Sequence, residues 1–370
     1  MREVMIVAGE ASGDLHGAGL AAALRERHPD WRLTGMGGAR MVAAGVEVHE
    51  RTDTTAVMGF VEVLRTLPRH FALLRSFRRR LASGRVDCLV TIDYPGFNLR
   101  LAAAAREAGV PVVYYITPQV WAWGANRLPK MAELITRAAV ILPFEEALLK
   151  AHGIDATFVG HPLLDRAAEM PDRVAARESL GVPGDAAVLA LFPGSRQQEI
   201  DRHLDVFVET ARLVARTRPE LRVVVASAPG VTIPRERCPF PQVSGSSLVL
   251  LRAADAAVCK SGTTTLEAAV AGCPLIVAYR TSPWTHAIAR RVVRIPRIGL
   301  VNVVAGREVA AEFVQDEMVP RAMAEVVAPL LVEGSAERQQ MLSGLAEVRD
   351  RLGVPGASGR VADMVGALVA

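Results

Sequence analysis

Short apolar runs alternate with segments of helical period along almost the whole chain. Residues 4–8, 87–92, 110–116, 138–142 and 156–159 are strand-length and nearly continuous in apolar side chains, the pattern of strands covered on both faces. Between them, 17–27, 38–44, 98–108 and 130–137 carry apolar residues at helical spacing. After Pro162 the stretch 165–185 turns polar and reads as a linker with a short helix. A second set follows, with strands expected at 188–192, 221–226, 247–251, 256–259 and 274–278 and helices at 197–216 and 263–271. Beyond Gly306 the pattern is mainly helical. Strands alternating with helices predict parallel sheets built from βαβ units, and two such sets predict an α/β protein of two Rossmann-like domains. The expected division is 1–165, a linker at 166–185, and 186–350, with a helical C-terminal segment.

Composition narrows this picture. The chain has 370 residues and is 51% hydrophobic, with mean hydropathy +0.24. No apolar stretch reaches the roughly 18 residues that a membrane span needs. Met1-Arg2-Glu3 runs directly into the first strand, which predicts no signal peptide and a cytoplasmic location. Cys88, Cys238, Cys259 and Cys273 show no metal-ligand spacing and read as reduced core or near-core residues, so no metal site is expected. Net charge is only +4, and no nucleic-acid motif accompanies it, so nucleic acid is not an expected partner. The charge is unevenly placed, however. Seven arginines and no acidic residue lie between Arg65 and Arg85, interleaved with Leu67, Phe71, Leu74 and Phe77 and following Leu64. Such a stretch suits an anionic membrane surface or the solvated face of a core helix, and Pro68 should kink or divide it.

Ligands of open parallel sheets bind at the carboxyl ends of the strands, so the strand-to-helix loops carry the candidate chemistry. The first, Ala8 to Asp14, lacks the dinucleotide fingerprint and offers Glu10 and Asp14, although Ser12 or Asp14 also suits a helix N-cap. In the second, Asp93 follows an apolar strand and precedes Pro95-Gly96. It reads as a general base whose pKa burial would raise, or as an Asx-turn residue. The third, 115–123, holds two of the four tryptophans, Trp121 and Trp123, suited to a sugar, an acyl chain or simple packing. Pro193-Gly194-Ser195-Arg196 opens a helix with an arginine able to grip phosphate, and Ser261-Gly262-Thr263-Thr264, after the strand stops, opens another. Two anion sites in one half-sheet suit a diphosphate. Glu267, one turn on, reads either as a partner for sugar hydroxyls or as the end of a capping box begun by Thr264.

Together these segments resemble one family. Ala8 to Asp14, Val57 to Leu64, Ile92 to Asn98, Pro118 to Trp123, Pro193 to Arg196, Ser261 to Glu267 and Val301 to Glu308 are similar to the motifs of lipid-A-disaccharide synthases, in the family's order. The resemblance spans residues 4 to 316 or so and departs at Val301, where many members have proline. It implies a GT-B glycosyltransferase with two Rossmann-like domains facing a central cleft, acting without metal or cofactor. The implied reaction joins UDP-2,3-diacylglucosamine to 2,3-diacylglucosamine 1-phosphate (lipid X), with inversion, to give the β-1,6 disaccharide and UDP at the cytoplasmic face of the inner membrane. Asp93 is then the expected base, ahead of His16, with Glu10 and Asp14 at the same mouth. Gly194, Ser195, Arg196, Ser261, Gly262 and Thr263 would hold the UDP diphosphate, Glu267 the ribose, and Asn302 and Gln315 the rest of the nucleotide pocket. Met58, Val61, Val63, Leu64, Leu67, Phe71, Gln119 and Trp121 would face the acceptor or an anionic membrane surface. The resemblance implies that residues from about Arg338 onward cross back to the first domain, with 351–370 joining it, or exchange between protomers, which leaves a homo-oligomer open. The rivals are another UDP-N-acetylglucosamine-using GT-B enzyme and a catalytically dead surface protein of that fold.

Overall fold

A computed structural model describes residues 1–51, 60–245, 247–282, 284 and 296–369, with side chains in the helix that begins at residue 60 described from residue 70. Two compact units emerge, one of residues 1–162 with 354–370, the other of 163–353. The first contains a seven-stranded parallel sheet in the order β3-β2-β1-β4-β5-β6-β7. Its strands are β1 (Glu3–Ala8), β2 (Arg32–Gly37), β3 (Glu47–Arg51), β4 (Cys88–Ile92), β5 (Val112–Tyr115), β6 (Arg137–Val140) and β7 (Ala156–Phe158). Every residue of β1, β4 and β5 is buried, as helices on both faces of a parallel sheet require. One face packs Leu20, Leu24 and Trp31, and also Val361, Ala362 and Val365 of the last helix, Ala357–Val369. That helix is tied back by Arg27 to Asp363 at 2.6 Å and by Arg360 to the Val159 carbonyl at 2.8 Å. The other face packs Phe77, Leu81, Phe97 and Leu101.

The second unit holds a six-stranded parallel sheet in the order β10-β9-β8-β11-β12-β13. Its strands are β8 (Val188–Phe192), β9 (Arg222–Ser227), β10 (Gln242–Ser244), β11 (Ala256–Lys260), β12 (Leu275–Tyr279) and β13 (Glu312–Val314). Asp255, just before β11, accepts from Arg173, Arg177 and the Val188 N–H, which locks the starts of β8 and β11 together. Each sheet has one point where strand order reverses, between β1 and β4 in the first and between β8 and β11 in the second. The four loops leaving these strands are the ones that position the candidate chemistry.

Three expectations need correction. Residues 247–251 are not a strand but part of the helix Ser247–Ala253. A short unbroken apolar run fits either, and Leu248, Leu250 and Leu251 lack the β-branching that favours a strand. The first helix is Ala11–Arg27, six residues earlier than its apolar period suggests, so the loop after β1 is only Gly9-Glu10. Pro68 does not divide the basic segment, which forms one helix, Phe60–Ala82, whose far end is anchored by buried Phe77 and Leu81.

Candidate active site

In the first unit, the loops after β1 and β4 bring two carboxylates together. Asp93 and Tyr94 both adopt left-handed backbone, with φ of 47° at each. A non-glycine pair rarely takes this conformation without external support. Here Asn98, fully buried, donates from Nδ2 to the Ile92 and Asp93 carbonyls at 3.2 and 2.7 Å. The Tyr114 hydroxyl donates to the same Asp93 carbonyl at 2.8 Å, and the Asp93 N–H continues the sheet to the Tyr115 carbonyl at 3.2 Å. Gly9 makes the turn possible, because a Cβ there would lie 2.2 Å from the Tyr94 ring. Burial, and then the charge of Glu10, push the Asp93 carboxyl above its ordinary range, against the lowering pull of the Tyr94 N–H. His16 lies edge-on to Tyr115, 6.3 Å between ring centres.

Glu10 occupies the N-cap position of Ala11–Arg27 without a side-chain cap bond. Asp14 is engaged differently. Its carboxylate accepts from the Gly38, Arg40 and Met41 N–H groups at 2.6, 3.1 and 3.0 Å, closing the N-terminus of the helix Ala39–Ala43. With those donors and 6% exposure it holds the fold of the site rather than standing on its surface. The aromatic loop is anchored from below. Trp121 Nε1 donates to Glu145 at 3.0 Å, and its ring packs edge-on against Phe144. Burial raises the Glu145 carboxyl to about 7 despite bonds from the Leu142 N–H and Trp121. Gln119 is exposed.

In the second unit, the loops after β8 and β11 assemble donors. Glu199, on the helix Gln197–Thr217, accepts from the Ser195 N–H at 2.9 Å and pairs with Lys260 Nζ at 2.9 Å and Arg196 Nη1 at 3.6 Å. Burial would raise the Glu199 carboxyl, but Lys260, the Ser195 N–H and Arg196 outweigh it and hold it below the usual range. Gly194 is required here, with φ of 146° and a position where a Cβ would lie 2.4 Å from Glu199 Cβ. An amide at a helix start, an ammonium and a guanidinium are the donor set that binds phosphate oxygens. Ser261 turns its hydroxyl to the Ile298 carbonyl at 2.7 Å, and the Thr265 hydroxyl donates to the Gly262 carbonyl at 2.9 Å. Thr263 sits at the N-cap of Thr264–Ala271 with no side-chain cap bond. The capping box begun by Thr264 is not formed, because Glu267 accepts instead from Arg166 at 3.2 Å and Ser247 at 2.6 Å.

Asn302 is fully buried; it donates to the Ala310 carbonyl and Glu312 and accepts from the Val309 and Ala310 N–H groups, so it braces residues 302–312. Gln315 has φ of 55°, and its carbonyl accepts from Arg280 at 3.0 Å. Sequence reasoning missed Glu199, Lys260, His203 and Arg280. His203 Nε2 accepts the Arg280 N–H at 2.9 Å, so its proton is on Nδ1, donating to the Glu199 carbonyl at 2.6 Å. Burial lowers its pKa, in keeping with a neutral ring. One signal was available in the sequence: Lys260 immediately precedes Ser261-Gly262.

Of the acceptor-facing group, Met58 lies outside the described residues, as do the side chains of Val61, Val63, Leu64 and Leu67. Phe71 is 57% exposed, whereas Phe77 is core. Arg78 pairs with Glu107 and Arg80 with Glu3. His70 meets the Tyr94 hydroxyl at 2.9 Å and so ties this helix to the Asp93 loop.

Comparison with known proteins agrees with this layout. A lipid-A-disaccharide synthase of Myxococcus xanthus is 42% identical over 98% of this chain and 96% of its own. Among solved structures, the glycotransferase of kitacinnamycin matches with TM-score 0.69 at 16% identity, covering 99% of this chain and 98% of that one. A UDP-GlcNAc 2-epimerase from Neisseria meningitidis bound to UDP-GlcNAc matches with TM-score 0.65 at 12% identity, over 99% and 100%. At those identities the structures speak for the fold alone, which is GT-B. The lipid-A-disaccharide synthetase family model matches residues 4–352, both switch points included, and the chain belongs to that family.

Proposed function

We propose that the protein joins UDP-2,3-diacylglucosamine to 2,3-diacylglucosamine 1-phosphate, forming the β-1,6 lipid A disaccharide 1-phosphate and UDP with inversion. The observation that carries this reading is the family match over residues 4–352. The site chemistry supports it. Asp93 takes the proton from the acceptor's 6-hydroxyl as the new C1–O6 bond forms and the C1–O bond to the diphosphate breaks, its electron pair leaving with UDP. A carboxyl raised by burial and by Glu10 is a stronger base near neutral pH than an ordinary aspartate. Arg196, Lys260 and the amides around Gly194, Ser195, Gly262 and Thr263 stabilise the leaving diphosphate, with Glu199 holding the first two in place. Glu267, oriented by Arg166 and Ser247, takes the ribose hydroxyls, and Gln315 lines the nucleotide pocket. Asp14 and Asn302 position these groups.

The same reading makes the helix Phe60–Ala82, with exposed Phe71 and Arg75, Arg79 at its surface, the contact with an anionic inner-membrane surface on its cytoplasmic face. Among the described residues no helix is long and apolar enough to cross a membrane. The test is a mass-resolved product from two substrates of defined, different acyl composition. One disaccharide carrying both sets of chains, with one UDP released per product, is expected; neither product nor UDP from saturated enzyme would remove the transferase reading.

A further inference from the structure

The mechanism leaves one well-placed cation unused. Arg127 lies with its Cζ 4.8 Å from the ring centre of Trp123, which is 46% exposed. The arrangement is built by the chain itself. The Ala122 and Trp123 N–H groups both bond the Gln119 carbonyl at 3.0 and 3.2 Å, and Gly124 turns the chain with φ of 81°. The Arg127 N–H then closes onto the Gly124 carbonyl at 3.0 Å, while Val120, Ala122 and Leu128 anchor the loop in the unit below. A guanidinium held over an aromatic ring keeps N–H donors at its edge, and that edge matches phosphate or carboxylate oxygens. Among the described residues no carboxylate pairs with Arg127.

Its location ties it to the base. The loop that carries Trp123 and Arg127 leaves β5 after Tyr115, whose carbonyl accepts the Asp93 N–H at 3.2 Å, and the neighbouring Tyr114 hydroxyl donates to the Asp93 carbonyl at 2.8 Å. Cation and base therefore belong to one loop cluster, at the carboxyl ends of β4 and β5. Resting on the reaction proposed above, we propose that the edge of the Arg127 guanidinium, stacked on Trp123, binds the phosphate monoester on the acceptor sugar. The acceptor carries the reacting hydroxyl on C6 and the phosphate on C1, two distinct positions of one hexose. Glu10 and Asp93 repel a phosphate and Arg127 attracts it, so the field of the cluster admits the acceptor hydroxyl-first and rejects the reversed pose.

The experiment compares 2,3-diacylglucosamine 1-phosphate with the same lipid carrying a 1-O-methyl group, using wild-type protein and the Arg127→Gln and Arg127→Lys variants. Wild type should prefer the phosphorylated acceptor in kcat/KM, and Arg127→Gln should cut that preference about 30-fold, chiefly through KM, with UDP affinity unchanged. Arg127→Lys should restore part of it, since the charge returns without the planar edge. Equal losses on both acceptors, or an undiminished preference, would overturn the phosphate subsite while leaving the transferase intact. No disaccharide from wild type with the phosphorylated acceptor would overturn both.

Discussion

The two switch points share a topology and differ in charge. Between β1 and β4 the loops gather Glu10 and Asp93, and a burial-raised carboxyl is held on left-handed backbone by Asn98 and Tyr114. Between β8 and β11 they gather Arg196, Lys260 and a helix-start amide around Glu199, whose carboxyl is held low. Strand order fixes where a ligand can sit, and loop residues fix which charges it meets there. The acid side suits proton removal and the cationic side a leaving diphosphate.

The comparison can be broken at four places. Asp93→Asn should have the largest effect, lowering turnover about 10³-fold, because a general base cannot be replaced by an amide that keeps only its shape. Changing Arg75, Arg78 and Arg79 together to Gln should weaken binding to anionic vesicles about 10²-fold in a flotation assay, on the order of 1 kcal/mol per charge removed. Unchanged flotation would make that helix only a solvated core helix and detach the lipid side from the first unit. Arg196→Ala should raise the UDP dissociation constant about 30-fold by calorimetry, the cost of one charge-assisted contact.

The smallest effect is the most diagnostic, because its sign should differ between the two sides. The Asp93 pKa is raised in the folded protein, so its stabilising contribution is present below the unfolded pKa and is lost as pH rises through the folded one. Asp93→Asn should therefore raise the apparent Tm at neutral pH, with the gain fading in acid. The Glu199 pKa is lowered, so its contribution is present above the unfolded pKa and is lost as pH falls through the folded one. Glu199→Gln should cost about 1 kcal/mol at neutral pH, and that loss should fade in acid. Thermal melts of both variants across pH 4–8 read out the pair, and shifts of the same sign would erase the contrast.

Much of this was legible in the sequence because the strands at both switch points are nearly continuous in apolar side chains and end abruptly at Gly9, Asp93, Pro193 and Lys260. Those breaks in the apolar pattern are enough to locate the four loops. Three of the four edge strands were not legible. β3 alternates half-buried and exposed positions, and β10 and β13 are three residues long, too short for a period. Partners across the site were also hidden. Nothing local marks Glu199 as the carboxylate that Lys260 meets, because only the sheet order brings these distant segments together. Asp14 and Asn302 both stand in recognisable motifs, but a hydrogen-bonding side chain in a motif does not reveal whether backbone or ligand fills its bonds.

The central claim is that the two charged switch points have separable tasks, and calorimetric titration of UDP into Asp93→Asn tests it most directly. Separable tasks predict a dissociation constant within about twofold of wild type in a variant that no longer turns over. A loss of UDP affinity comparable to that of Arg196→Ala would contradict the claim.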